Sequence, residues 1–488
     1  MHNLVLTCFV AYTVLLFFIT WLTSRKATND SFFTGNRRSP WFVVAYGMIG
    51  ASLSGVTFMS VPGWVNTREF SYLITVFGFF IGYLIISLVL MPLYYRLNLT
   101  TIYTYLDKRF GTYSHKTGSF FFLLSRILGA SLRMFLVIAV LQEYVFSYWN
   151  IPMEVTIVIF LLLILGYTLK GGIKTIIWTD TLQTTFMLAA LVISFIFIAN
   201  SLHLDFVGIF SAIADSDYSQ VIFTDPSSRL CWWKQILGGM FICISMTGLD
   251  QEMMQKNLSC RNLKSAQKNM FVFSLILIVV NFLFLSLGAA LYIYAETNGI
   301  HIEGDRLFST VAIQYLGPVA GAIFVIGLIS ALYPSADGAL TSLTTAFCVD
   351  FLNMEKRSDW TEKKKETMRH IVHTSFAVLF MGVIIFYQHH QTPNLIDILY
   401  QVASITYGPL LGLFAFGLFT KRPVNDKRVP LVCIIAPAIC FILNNNSVEW
   451  FGYAFDFELL LVNGFLTFMG LFILGINQHR KNITVLKQ

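Results

Sequence analysis

Residues 49–63 read Ile-Gly-Ala-Ser-Leu-Ser-Gly-Val-Thr-Phe-Met-Ser-Val-Pro-Gly, inside a long apolar segment. Glycine and proline are the poorest helix-forming residues, and this run contains Gly50, Gly55 and the pair Pro62-Gly63. In lipid, a helix opens only where its freed carbonyls line a cavity or bind something. The hydroxyl residues among the glycines favour a broken helix. Close packing of small residues against a neighbouring helix is the alternative.

The composition of the whole chain indicates a polytopic membrane protein. The chain has 488 residues, of which 56% are hydrophobic and 12% charged, whereas soluble domains carry about 25% charged residues. The net charge of +7 does not indicate a nucleic-acid partner, because the basic residues lie in short loops between apolar runs. The lipid bilayer is the expected partner, and nothing in the sequence indicates an obligate protein partner.

Thirteen apolar segments are long enough to cross a hydrocarbon core of about 30 Å. These predicted spans, one to thirteen, lie at residues 4–23, 41–65, 71–95, 118–147, 152–169, 174–201, 234–255, 269–294, 317–347, 371–388, 394–419, 430–446 and 456–476. The first lacks the basic flank and cleavage site of a signal peptide, so we expect it to be retained. The two longer outer connections, residues 203–232 and 296–316, are expected to hold short surface helices.

The basic residues orient these spans. Most of the 33 lysines and arginines fall in loops on one side, such as residues 96–116 and 356–369. The positive-inside rule therefore predicts a multi-pass protein with its N-terminus outside and its C-terminus in the cytoplasm. The compact loops favour the inner (plasma) membrane of a bacterium.

Two predicted spans contain acidic residues. Asp180 ends the run Lys-Gly-Gly-Ile-Lys-Thr-Ile-Ile-Trp-Thr-Asp that begins at Lys170, and equally apolar residues follow it. A carboxylate in a bilayer requires a cation, a proton or an arginine. Span nine carries Asp337 among several serines and threonines, and such oxygen ligands suit a small hard cation. The alternative is that these hydroxyls bond back to carbonyls of their own helix.

A second weak point lies in span seven, where residues 243–252 read Cys-Ile-Ser-Met-Thr-Gly-Leu-Asp-Gln-Glu. Spans two and seven each begin a group of five. Interrupted helices at corresponding places in two halves of a transporter indicate a binding site near the midplane, between inverted repeats.

These residues resemble the motifs of the sodium:solute symporter family, which includes bacterial proline, sialic acid and galactose symporters. The resemblance extends over spans two to eleven. Four motifs carry it: Ser54-Gly55 with Pro62-Gly63, Gly171-Gly172 followed by Trp178-Thr179-Asp180 and Gln183, Asp250-Gln251 followed by Gln255, and the hydroxyl-rich span nine ending in Asp350. Lys256 stands where an arginine often follows Gln255 in the family.

The resemblance implies an all-α, LeuT-like fold with a five-plus-five inverted repeat and about 13 transmembrane helices. Residues 1–488 would form a single transporter domain. Within it, residues 1–40 would hold a leading helix, residues 41–201 the first repeat, residues 234–419 the second repeat and residues 430–476 two trailing helices.

The resemblance also implies a co-transported sodium ion. Its ligands would be the carbonyls of Gly50 and Leu53 in span two, together with Ala331, Pro334 and Ser335 in span nine. The family usually has a hydroxyl residue where Pro334 stands. Proline supplies no side-chain oxygen, but its ring frees the carbonyl one turn back along the helix.

Some members of the family bind a second cation near the acid that matches Asp180, so Asp180 is also a predicted metal ligand. Here Asp337 and Gly338 replace serine-like positions. A second cation, or a proton shared between Asp180 and Asp337, is therefore implied.

The predicted substrate site lies beside the break in span two. Ser52, Ser54 and Thr57 match positions that line the substrate pocket in the sialic acid members. Arg133 lies midway along span four, where an arginine needs an anion. In those members an arginine on this helix holds the substrate carboxylate. The alternative is a structural ion pair between Arg133 and Glu143 or another acid.

We therefore predict a secondary active transporter that couples sodium to the symport of a small organic solute by alternating access. A carboxylated sugar or organic acid, such as sialic acid, is the preferred solute. The alternatives are a proton-coupled symporter of a neutral sugar, amino acid or vitamin, and a solute sensor that does not transport. An enzyme is not predicted, because the sequence contains neither an HExxH nor a GxSxG motif.

Overall fold

Helices of very different lengths follow one another along the chain. The computed structural model describes residues 2–25, 28–302, 304–390, 395–453, 455 and 457–485. Its α-helices are α1 (His2–Ser24), α2 (Asn29–Thr34), α3 (Trp41–Ser52), α4 (Gly55–Gly63), α5 (Val65–Arg68), α6 (Tyr72–Ile85), α7 (Met91–Arg96), α8 (Thr104–Arg109), α9 (Thr112–Tyr144), α10 (Met153–Ser201), α11 (Phe206–Ala214), α12 (Trp232–Cys243), α13 (Gln251–Leu258), α14 (Leu263–Thr297), α15 (Arg306–Thr310), α16 (Pro318–Ala346), α17 (Glu362–His389), α18 (Leu395–Phe419), α19 (Val429–Phe451) and α20 (Glu458–Val485). The predicted all-α class is confirmed.

The predicted number of membrane helices, about 13, is too high by the criteria of length and apolarity. Among the described residues, 10 helices meet those criteria, or up to 11 if the bent pair α3 and α4 is one span. Predicted spans five and six both lie in α10, whose 49 residues are interrupted by a kink at Gly172. Predicted span seven is divided into α12, a π-helical turn and α13, and neither helix exceeds 12 residues. The predicted first residues of spans eleven and thirteen, 394 and 456, lie outside the described residues.

The long helix α10 changes direction at Gly172. At 1.5 Å per residue, a straight helix of this length would be about 74 Å long, more than twice the thickness of a hydrocarbon core. The backbone of Gly172 has φ 53° and ψ −149°, outside the helical region. A Cβ atom there would lie 2.5 Å from the Cα of Phe32. This position therefore requires glycine.

Helix α16, which corresponds to predicted span nine, lies at the centre of the bundle. Of its most apolar 18 residues, 83% are buried, against 22% for α1 and 28% for α19. It packs against α10, α9, α1 and α3. The polar side chains of α16 therefore lie inside the bundle, whereas α1 and α19 present many apolar residues at its surface.

The two longer connections hold short helices, as predicted, but the expectation that both lie at the surface is wrong for α15, in which four of five residues are buried. Helix α11 lies within residues 203–232, and α15 lies within residues 296–316.

Helix α13 is enclosed by its neighbours, and all of its residues are buried. The hydroxyl of Tyr103 donates a hydrogen bond of 2.9 Å to the carbonyl of Leu249, just before α13. The Gln255 side chain donates to the carbonyl of Phe33 at 2.8 Å. Acidic and basic side chains on α13 are therefore held inside the protein.

Candidate functional site

The helix in predicted span two is broken, as the sequence indicates. Helices α3 and α4 are bent by 59°. The amide of Leu53 donates to the carbonyl of Ile49 at 2.8 Å, and the helical pattern resumes with Phe58 N and Ser54 O at 3.0 Å. Between these bonds, Leu53 and Ser54 have extended backbone. The carbonyls of residues 50–53 therefore have no amide partner within either helix.

The small residues around the break also allow close packing. The amide of Gly50 donates to Thr184 Oγ1 on α10 at 3.1 Å. A Cβ atom on Gly50 would lie 2.5 Å from that oxygen and 3.6 Å from Pro334 Cγ on α16. Gly55 faces Val137 on α9 in the same way. Both interpretations of the glycine-rich run are therefore correct, because the break is enclosed by neighbouring helices.

Because a Cβ atom added to Gly50 would touch Pro334, the two predicted sodium-ligand segments, residues 50–53 and 331–335, lie side by side. Ser335 is 1% exposed, and its hydroxyl oxygen has no hydrogen-bond partner within the described part of the chain. Pro334 lacks an amide hydrogen, so it leaves the carbonyl of Ser330 without its helical donor. Carbonyl and hydroxyl oxygens are suitable ligands for a hard cation such as sodium.

Other hydroxyls of α16 are satisfied within the helix. Ser342 donates to the carbonyl of Ala339 at 2.9 Å, and Thr344 donates to that of Leu340 at 2.7 Å. For these two residues the alternative interpretation, bonding back to their own helix, is correct. The Thr341 hydroxyl oxygen, like that of Ser335, has no partner among the described residues.

Asp180 is paired with a lysine that the sequence interpretation did not connect to it. Both side chains are 1% exposed, and Lys256 Nζ lies 2.7 Å from Asp180 Oδ2. The same ammonium lies 3.7 Å from Glu252 Oε1, one turn earlier on α13. The signal was present in the sequence, because a lysine beside an apolar span requires an acidic partner.

Asp337 lies in the same buried region and has a different partner. Its Oδ2 accepts a hydrogen bond of 2.8 Å from the hydroxyl of Tyr167. The other carboxylate oxygen, Oδ1, has no partner within the described chain, and the same is true of Oδ1 of Asp180. These two acids are therefore only partly satisfied by the side chains around them.

Arg126 on α9 is neutralised by two acids close to α13. Its Nε and one terminal nitrogen lie 2.7 Å and 2.6 Å from the two oxygens of Asp250. The other terminal nitrogen lies 3.1 Å from Glu252 Oε2. The hydroxyl of Tyr407 adds a hydrogen bond of 2.6 Å to Asp250. A two-pronged arginine–carboxylate contact is among the strongest polar interactions in proteins.

All four predicted substrate-site residues line one cavity of about 130 Å³, which lies beside the break. Its polar lining includes Ser52, Ser54, Thr57, Arg126 and Arg133, and its apolar lining includes Trp64, Phe79 and Met246. Cavities with mostly apolar walls and a few polar groups are typical of small-molecule sites.

Arg133 is less fully paired than Arg126. Its Nε atom is buried and has no hydrogen-bond partner among the described residues. The proposed structural partner, Glu143, lies instead at the surface, where its Oε2 is 3.7 Å from Arg306. Glu143 is therefore not the ion-pair partner of Arg133, and that part of the alternative is wrong.

Comparison with known proteins points to a single family of transporters. A model of the sodium:solute symporter family matches residues 32–427. The sodium/sialic acid symporter SiaT of Proteus mirabilis is 23% identical, over 91% of this chain and 92% of its own. The sodium/sialic acid symporter NanT of Aliivibrio fischeri is 25% identical, over 92% and 89%.

Solved structures show the same fold. The substrate-bound, outward-open structure of a Na⁺-coupled sialic acid symporter superposes with a TM-score of 0.81 at 20% identity, covering 96% of this chain and 97% of the other. The closed structure of Mhp1, a nucleobase-cation-symport-1 family transporter, gives a TM-score of 0.53 at 14% identity over 91% and 92%. The fold is therefore the LeuT-like one.

Proposed function

The chain belongs to the sodium:solute symporter family, and from this premise we propose that it moves sialic acid or a similar carboxylated solute across the membrane together with sodium. Membership of this family makes the chain a transporter and not an enzyme. Alternating access at the broken helix would couple the two movements.

The choice of solute rests on a difference in pairing between the two arginines that line the cavity. Asp250 and Glu252 neutralise Arg126, whereas Arg133 keeps a buried nitrogen without a partner. A cation held inside the membrane needs an anion, and a solute carboxylate supplies one. The hydroxyls of Ser52, Ser54 and Thr57 line the same cavity and suit a polyhydroxylated solute. Both bacterial relatives compared above are sodium/sialic acid symporters.

We further propose that sodium binds between the C-terminal end of α3 and the adjacent part of α16. The carbonyls of Gly50, Leu53 and Ala331 and the hydroxyl of Ser335 would be its ligands, with Pro334 contributing only backbone. The freed carbonyls at the break and the unpartnered Ser335 hydroxyl support this assignment. Asp180 and Asp337 each keep one carboxylate oxygen without a partner among the described residues. The cation at Asp180 is the ammonium of Lys256, which leaves Asp337 as the candidate for holding a proton.

The placement of the chain in the membrane is also a proposal. We place it in the inner (plasma) membrane, with the N-terminus outside and the C-terminus in the cytoplasm, because basic residues collect in the loops of one side. Residues 41–201 and 234–419 would be the two inverted repeats, and residues 1–40 and 430–476 the additional helices.

The test is uptake by the purified protein in proteoliposomes. Labelled sialic acid, a small monocarboxylate and a neutral sugar would each be offered with an inward sodium gradient, with a potassium gradient as control, and with a proton gradient in the absence of sodium. We expect sodium-driven accumulation of sialic acid above the external concentration. Accumulation of the neutral sugar alone would overturn the choice of solute, and accumulation with a proton gradient but without sodium would overturn sodium coupling.

A further inference from the structure

Lys256 lies among the buried acids and is itself inaccessible to solvent. Its ammonium is 2.7 Å from Asp180 and 3.7 Å from Glu252. We infer that Lys256 is a tethered cation that fills the position at Asp180 where a second sodium ion would otherwise bind, so that one sodium ion moves with each solute. The inference rests on the proposed function, because it gives the ion stoichiometry of that transport.

Two glycines allow the side chains around this ammonium to approach each other. A Cβ atom on Gly338 of α16 would lie 2.5 Å from Glu252 Oε1, so any larger residue would displace that carboxylate. A Cβ atom on Gly47 of α3 would lie 3.0 Å from Asp180 Cβ. The packing of α3, α10, α13 and α16 therefore fits a carboxylate pair with an ammonium between them.

The nearby arginine Arg126 is already paired with other acids, so Lys256 is the cation that balances the charge of Asp180. Arg126 lies within 3.1 Å of Glu252 and closer still to Asp250. The Asp337 carboxylate accepts a hydrogen bond from the hydroxyl of Tyr167. A sodium ion at Asp180 beside the ammonium would place two positive charges a few ångströms apart, away from water. Repulsion at such a distance is strong where the dielectric constant is low.

An ammonium fixed to the chain differs from a sodium ion in that it is not released. Removing its charge while keeping the length of the side chain, as in Lys256→Gln, would leave the Asp180 carboxylate without a counter-charge. A carboxylate in the membrane interior then requires a mobile cation. The variant would therefore gain a sodium site at Asp180, and its sodium dependence would become steeper.

The consequence can be measured as charge movement. Sialic acid carries a single negative charge, so its transport with one sodium ion moves no net charge across the membrane. A membrane potential would then leave uptake by the natural chain unchanged. With two sodium ions, as expected for Lys256→Gln, an inside-negative potential would accelerate uptake.

The experiment measures labelled sodium and labelled sialic acid entering the same proteoliposomes, with the membrane potential clamped. We expect a sodium-to-solute ratio of one for the natural chain and for Lys256→Arg, which keeps the charge, and a ratio of two for Lys256→Gln. A ratio of two in the natural chain would overturn the inference, as would an active Lys256→Gln protein whose ratio stays at one.

Two further measurements keep the result interpretable. If Lys256→Gln does not fold, the ratio of the natural chain decides by itself. The double variant Asp180→Asn with Lys256→Gln, which removes both charges, is expected to return the ratio to one, and a ratio of two would contradict the inference. Absence of sodium-dependent uptake by the natural chain would instead overturn the proposed function, so the two failures are distinguishable.

Discussion

Arg126 on α9 and Asp250 at the start of α13 form a buried two-pronged ion pair, with both nitrogen–oxygen distances below 2.8 Å. Asp250 also caps α13 through the amide of Met253 at 3.2 Å. One carboxylate thus caps the buried helix α13 and attaches it to α9. It also neutralises Arg126, which lines the cavity beside the break.

Breaking this pair is expected to destabilise the protein. Asp250→Asn would leave Arg126 as a buried cation with weaker compensation, and loss of one partner of a buried pair costs about 3–5 kcal/mol. Thermal unfolding in detergent would show a clear decrease in the midpoint temperature. The control is Glu143→Gln, which breaks a pair whose side chains are 48% and 74% exposed, and for which about 0–1 kcal/mol is expected. Equal shifts for both variants would contradict the role given to Asp250.

The Ser335 hydroxyl is expected to contribute to sodium affinity. In Ser335→Ala one proposed ligand oxygen is lost, so half-maximal uptake would require about tenfold more sodium, which corresponds to about 1.4 kcal/mol. The measurement is the sodium dependence of sialic acid uptake. Ser342→Ala is the matched control, because the Ser342 hydroxyl is already bonded to Ala339 on the same helix. If both variants behave like the natural chain, Ser335 is not a ligand.

Gly172 is expected to tolerate no side chain. Gly172→Ala would place a non-glycine residue in a strained backbone conformation, at a cost of about 1–3 kcal/mol, and its Cβ atom would meet Phe32. The yield of folded protein and its thermal midpoint would both decrease. Gly382→Ala on α17, where no atom lies within 4 Å of the added Cβ, should be neutral or slightly stabilising. A stable Gly172→Ala protein would show that α10 does not need this backbone geometry.

The sequence was informative where local chemistry decides the structure. Glycine and proline at residues 50–63 predict the broken helix, because these residues disfavour a continuous one in any context. Apolar length predicts most of the membrane helices. The same criterion overestimated their number, because it does not detect where two spans join across a kink, as in α10, or where one span is divided, as in α12 and α13.

The sequence was less informative where distant residues meet. The pairs Lys256–Asp180 and Arg126–Asp250 join residues 76 and 124 positions apart. Nothing in the local pattern specifies these partners. For the same reason the sequence offers Glu143 as a partner for Arg133, although Glu143 lies at the surface. The hydroxyls of α16 show the same limit, because their spacing does not distinguish Ser342, bonded within the helix, from Ser335, which is not.

The central claim, that a solute carboxylate binds at Arg133 and sodium drives its uptake, is tested most directly by one comparison. Uptake of labelled sialic acid and of its neutral methyl ester would be measured under the same sodium gradient for the natural chain, Arg133→Gln and the surface control Arg306→Gln. We predict that Arg133→Gln lowers the apparent affinity for sialic acid roughly tenfold to a hundredfold, with little change for the ester and none for Arg306→Gln. Equal losses for acid and ester, or undiminished sialic acid uptake by Arg133→Gln, would contradict the claim.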